Sequence, residues 1–97
     1  MTDELRKQIE SSMLFDAGWY TQQYHIPKET ALDDYLNRGW KAGTDPSKRF
    51  STIHYIERYA DVKESGMCPL VHYIMYGKQE GRVTDLSEIA QRTILKR

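Results

Sequence analysis

The chain has a single cysteine, Cys68, so no internal disulfide framework can hold it together, and such sparing use suits a reducing cytoplasm. It has no excess of either charge, 14 Lys and Arg standing against 14 Asp and Glu. A nucleic-acid partner normally leaves a basic excess, so the balance argues against one. No apolar run approaches the roughly 20 residues needed to cross a bilayer. The acidic, amphipathic N-terminus has no h-region, so no signal peptide is visible. A cytoplasmic location is expected, with peripheral attachment to the inner membrane left open. No segment shows the two-residue alternation or β-branched run of a strand, which leaves an all-α fold.

What remains is a small chain of 97 residues, 39% hydrophobic and rich in rings, with seven tyrosines and two tryptophans. That length supports one domain, burying roughly 60–70% of its extended-chain surface. Within it, residues 31–43 (ALDDYLNRGWKAG) and 69–81 (PLVHYIMYGKQEG) share a skeleton. Leu32 and Leu70, Tyr35 and Tyr73, Leu36 and Ile74, Gly39 and Gly77, and Gly43 and Gly81 are all 38 apart. Further forward, Phe15 and Phe50, Tyr20 and Tyr55, and Tyr24 and Tyr59 are 35 apart. The difference places three extra residues in the second copy, in a loop at residues 61–67. Length change confined to a loop between conserved helix registers marks a helix–loop–helix repeat.

The expected organisation is a helix in residues 1–13, repeat 1 in 14–47, repeat 2 in 48–83 and a last helix in 84–97. Thr2 or Asp3 caps the first helix, whose stripe is Leu5, Ile9 and Met13. Asp16 caps a helix reaching Tyr24, with Phe15 stapled on Tyr20. Thr30 is expected to cap the next, with Gly39 as its left-handed stop. Ser51 caps a helix bearing Ile53, Ile56 and Ala60, and Pro69 opens one that ends at Gly77. Asp85 and Glu88 form a capping box for the final helix, whose stripe is Leu86, Ile89, Ala90, Thr93 and Ile94. The abrupt end at Lys96-Arg97 reads as a chain cut from a longer protein or awaiting a partner, and leaves open whether this is a whole protein.

The second unit resembles a bacterial repeat of pattern FD-x-x-x-Y, x-P-D-V, G-x-x-P-L-x-H-Y and G-x-x-E-G-R. Phe15-Asp16 with Tyr20, and Phe50 with Tyr55, match its opening. Tyr59-Ala60-Asp61-Val62 matches its middle, with alanine at the proline position. Gly66, Pro69-Leu70-Val71-His72-Tyr73 and Gly77 through Arg82 match the remainder. The first unit lacks the P-D-V element and has Asp34 in place of His72. This family accompanies bacterial glycosyltransferases and rhamnan-synthesis-type proteins of cell-surface polysaccharide assembly, and occurs in some large secreted or calcium-binding repeat proteins. The resemblance implies an accessory, non-catalytic module that docks or oligomerises beside such a glycosyltransferase.

No catalytic residue, cofactor or metal site is expected. Cys68 and His72 lie four apart, but the first copy has Thr30 and Asp34 there and no further ligand follows at metal spacing; the role of Cys68 stays open. Asp33 and Asp34 point about 100° apart on a helix, so they do not converge as a glycosidase pair. Phe15, Tyr20, Leu32, Tyr35, Gly39 and Gly43, with Phe50, Tyr55, Leu70, Tyr73, Gly77 and Gly81, read as scaffold. Trp19, Trp40 and Tyr76 fall where the copies differ and are expected to be exposed. With Leu86, Ile89 and Ile94 they are the candidate interaction residues, serving a protein partner or self-association. The alternative is a carbohydrate-binding module that stacks glycan on those rings. The cations Lys41, Lys48, Arg49, Lys78 and Arg82 near the repeat ends read either as solvated turns or as a phosphate- or headgroup-facing patch.

Overall fold

A computed structural model of the chain describes residues 2–84. These residues are all-α and contain no strand; one isolated bridge joins Ser47 and Phe50. Helix α1 (Asp3–Ser12) is capped by the Thr2 hydroxyl, which accepts from the Leu5 N–H. Asp3 and Glu4 sit at its positive end. Ile9 is fully buried, but Met13 is left-handed and 62% exposed, so it closes α1 and does not extend the buried stripe. α1 lies against the π turn of the second unit and so crosses from one unit to the other.

Unit 1 contains α2 (Ala17–Tyr24), a 3-10 turn at Lys28–Thr30, α3 (Ala31–Asn37) and a second 3-10 turn at Gly39–Ala42. Unit 2 contains α4 (Thr52–Arg58), α5 (Ala60–Ser65) and α6 (Pro69–His72), which runs into a π turn at Tyr73–Gly77. Asp16 and Ser51 cap α2 and α4, accepting from the Trp19 and His54 N–H groups. The final helix expected for residues 84–97, with Leu86, Ile89 and Ile94, lies outside the described residues beyond Thr84.

Four local expectations are corrected. Residues 61–67 are not a loop. Ala60 to Ser65 form α5, because the extra residues give room for a helical turn that buries Val62 and closes on left-handed Gly66. The matching part of unit 1 contains Pro27, which forbids helix just before it and leaves only a 3-10 turn. Consequently α4 stops at Arg58, its buried face is Thr52 and Tyr55, and Ile53 is 49% exposed while Ala60 belongs to α5. Thr30 provides no side-chain cap; its hydroxyl donates to the Pro27 carbonyl.

The fourth concerns the glycines. The left-handed stops are Gly43 and Gly81, with φ of 91° and 70°. Gly39 and Gly77 have no positive φ and are small for another reason. A Cβ on Gly39 would strike the Tyr20 and Thr44 hydroxyls, and a Cβ on Gly77 the Tyr55 hydroxyl.

Candidate functional site

Each unit is built around two rings in one arrangement. Tyr20 and Tyr24 have centroids 4.7 Å apart, and Tyr55 and Tyr59 are 5.0 Å apart at almost the same tilt. Tyr20 meets Tyr35 edge-on at 6.1 Å, as Tyr55 meets Tyr73 at 6.1 Å. Phe15 and Phe50 complete the clusters at 5.7 and 5.2 Å from Tyr20 and Tyr55. Tilted and edge-to-face contacts at these distances suit the ring quadrupoles and add to area burial.

The hydroxyls repeat as faithfully as the rings. Tyr20 donates to Asp34 at 2.7 Å, and Tyr55 pairs with His72 Nδ1 at 3.0 Å, so Asp34 and His72 do one job in two chemistries. The Tyr24 hydroxyl accepts the Asp45 N–H at 2.9 Å and the Tyr59 hydroxyl the Val83 N–H at 2.8 Å. Beside these, the Asp16 N–H donates to the Pro46 carbonyl and the Ser51 N–H to the Thr84 carbonyl. Each unit is thus tied shut, end to start, by the same backbone groups. Between units, the Asp45 carboxylate accepts the Thr52 N–H at 2.9 Å, and Tyr35 shares a buried hydrogen bond of 2.8 Å with the Thr52 hydroxyl.

Burial pushes the pKa of the Tyr20 hydroxyl up to about 12 and that of Tyr55 higher still, so both stay protonated. The Cys68 thiol is buried beside Tyr35 and pushed up by desolvation, away from nucleophilic thiolate character. His72 pairs with Tyr55 and Cys68 lies by Tyr35; among the described residues no group of three or more metal-ligating side chains converges. Asp33 pairs with Arg6 at 2.8 Å, whereas Asp34 is held by Tyr20 and Arg38, so the adjacent carboxylates serve different partners.

The cations do not form one patch. Arg82 grips Asp61 with two hydrogen bonds of 2.9 Å, reaches Glu80 at 3.4 Å and lies 4.5 Å from the Tyr59 ring centroid. This guanidinium holds the exposed Asp61 carboxyl below its usual range and fastens the chain after the π turn to α5. Arg49 donates to the Met13 carbonyl, and the Lys41 ammonium lies 5.8 Å from the Trp40 ring centroid. Sequence spacing alone gave no sign that Arg82 is a structural clasp, since its partner Asp61 sits in the stretch read as a loop.

His72 is 7% exposed, and desolvation, followed by the Arg82 charge, lowers its pKa against the opposing pull of Asp61 and Glu80. The folded chain therefore keeps His72 neutral where the unfolded chain takes up a proton. Below the ordinary imidazole value of 6.5 the unfolded state binds more protons. This contribution is complete above that value and is lost as pH falls towards the folded pKa. Urea midpoints measured from pH 8 to pH 5 are expected to fall, and His72→Asn is expected to flatten that decline. An unchanged slope in the variant would contradict the assignment.

Of the expected interaction residues among those described, only Tyr76 is exposed, at 49%, next to Met75 at 45%. Trp19 and Trp40 are half-buried, contrary to expectation. Trp40 donates its indole N–H to the Leu36 carbonyl, and Trp19 rests edge-on against Tyr24 at 6.0 Å. Trp19 also walls a cleft of about 470 Å³ with Asp16, Gly18, Gln22, Lys48 and Arg49. Sequence order hides this cleft, because residues 47–49 reach the start of α2 only through the closing bond from Asp16 to Pro46. No helix among the described residues is long and apolar enough to cross a membrane. Comparison with family models, curated proteins and solved structures found no match to the chain.

Proposed function

We propose that the chain is a non-catalytic helical interaction module working in the cytoplasm beside a glycosyltransferase of bacterial cell-surface polysaccharide assembly, by docking or oligomerising. The observation that carries this is the commitment of the polar side chains to the scaffold. Asp34, His72, Asp45 and Arg82 each hold a tyrosine, a helix start or a chain end. The resemblance of residues 14–82 to the glycosyltransferase-associated repeat supplies the setting. Met75 and Tyr76 are adjacent and nearly half-exposed; the Tyr76 ring rests 5.4 Å from the His72 ring and leaves the rest of its surface open beside Met75, and exposed aromatic and methionine side chains are typical interface anchors.

Sedimentation velocity tests this reading, with the chain alone and mixed with the glycosyltransferase that accompanies it. Self-association or a complex is expected, weakened at least tenfold by Met75→Asp with Tyr76→Asp. A monomer at all concentrations that also ignores the enzyme would overturn it.

The second reading, a carbohydrate-binding module, is favoured by the Trp19 cleft. Its volume of about 470 Å³ lies in the range of about 300–1,000 Å³ usual for small-molecule sites.

A further inference from the structure

The Trp19 cleft is one end of a longer groove. It shares Asp16, Gly18 and Arg49 with a neighbouring cleft of about 360 Å³ that also contains Lys28. That cleft in turn shares Phe15, Ala17 and Lys28 with a third, of about 270 Å³, that ends at Arg6, Glu10 and Glu29. The groove therefore follows the start of α2 from Trp19 to the flank of α1, with cations at Lys48, Arg49 and Lys28 along it. Neither Lys28 nor Lys48 makes an ion pair within the described residues. Arg49 is held in place by its bond to the Met13 carbonyl.

The internal duplication separates what the fold needs here from what it does not. Ring and closure positions recur in unit 2, but the groove positions do not: Gly18, Trp19 and Gln22 correspond to Ile53, His54 and Glu57, each 35 residues on. Unit 2 folds with those residues, so the glycine, the indole and the amide are not required by packing. Gly18 is not sterically forced, since a Cβ there would meet only the Asp16 carboxylate at 3.6 Å. Its smallness keeps the cleft open beside the indole.

We infer that this groove binds a linear acidic oligosaccharide, a chain of hexuronate rings, with Trp19 as the stacking platform. The inference rests on the carbohydrate-binding reading and narrows it to a ligand class. A half-buried indole fixed against Tyr24 gives a rigid ring surface for the C–H face of a pyranose. Lys48, Arg49 and Lys28 take successive carboxylates, and charge-assisted hydrogen bonds to them are the stronger kind. Asp16 and Gln22 lie among the cations and suit sugar hydroxyls as acceptor and amide. The Asp16 carboxylate beside Arg49 disfavours a compact dianion such as phosphate, but not a ring that spreads one charge and several hydroxyls.

The test is a ¹H–¹⁵N titration of the chain with tetragalacturonate, with a neutral tetrasaccharide (cellotetraose) and with inorganic phosphate, following the Trp19 indole and the Gly18 amide. Tetragalacturonate is expected to shift both to saturation, at least tenfold more tightly than the neutral chain. Trp19→His and Lys48→Glu should each weaken it at least tenfold by the Gly18 signal. Trp19→His carries the residue that unit 2 has at the matching position, and Lys48 is exposed, so both variants retain the fold. Equal binding of the neutral chain would overturn the acidic assignment and leave the carbohydrate reading standing. No shift with either sugar would overturn both. A shift matched by phosphate, or unaltered by the two substitutions, would reduce the groove to adventitious charge. Sedimentation of the Met75 and Tyr76 variants reads docking on another surface, so the two tests fail separately.

Discussion

Gly77→Ala is expected to destabilise the chain by about 3 kcal/mol, an overpacking cost at the upper end of the usual range. The new methyl would collide with the Tyr55 hydroxyl and press the Tyr73 ring at 3.2 Å, while the π turn leaves its backbone no room to retreat. Tyr55 would have to move, and with it the hydrogen bond to buried His72, whose loss adds to the cost. Against a total stability of roughly 5–15 kcal/mol for a domain of this size, such a change is severe. Gly66→Ala makes the contrast. Its φ is 71°, yet nothing lies within 4 Å of a Cβ there. Only left-handed strain remains, costing about 1 kcal/mol. Urea melts of the two variants should be well separated. Equal midpoints would mean that contact with the phenol does not explain Gly77.

Phe50→Ala is expected to cost about 4 kcal/mol, in the range for a fully buried ring. Phe50 is 1% exposed and packs at 5.2 Å on Tyr55 and 6.0 Å on Tyr73, so its removal opens a void at the centre of unit 2. Phe15 holds the matching place in unit 1 at 5.7 and 6.3 Å from Tyr20 and Tyr35, but it is only half-buried. Its replacement by alanine should cost about 2 kcal/mol, since water already reaches part of the ring. Thermal or urea denaturation of the two variants checks the difference. A Phe15 variant as damaged as the Phe50 variant would show that the units do not share burden in the way their exposure implies.

Much of this architecture was legible because duplication gives a chain its own control. The matched phenylalanines, tyrosines and leucines identified the core, and the buried rings of Tyr20, Tyr35 and Tyr55 stand at those matched positions. Single-residue caps were readable where a side chain acts three residues ahead, as at Thr2, Asp16 and Ser51. Spacing revealed that Gly39 and Gly77 repeat, but not why. A left-handed stop is a local explanation, whereas the true one is a phenol from another helix. α5 was hidden because unequal length between copies normally means loop, and a helix of six residues owes its existence to burial of Val62 more than to propensity. The exposure of the tryptophans was misjudged for a related reason. Trp19 and Trp40 differ between copies, yet each has a partner, Tyr24 or the Leu36 carbonyl, within its own unit. The groove was invisible in the sequence, since its walls come from separate segments brought together by tertiary closure.

The central claim is that the two units are one packing device built twice, with a tyrosine hydroxyl seated where a glycine leaves room. Parallel double-mutant cycles test it most directly: Tyr55→Phe with Gly77→Ala, and Tyr20→Phe with Gly39→Ala, each followed by urea denaturation. Removing the hydroxyl should relieve the methyl in unit 2, so that double variant should be more stable than the sum of its singles by about 1.5 kcal/mol or more, a coupling typical of residues in contact. The account predicts coupling of the same sign but smaller size in unit 1, where the Thr44 hydroxyl still lies 2.5 Å from a Cβ on Gly39. Additivity in unit 2, within about 0.5 kcal/mol, would contradict it.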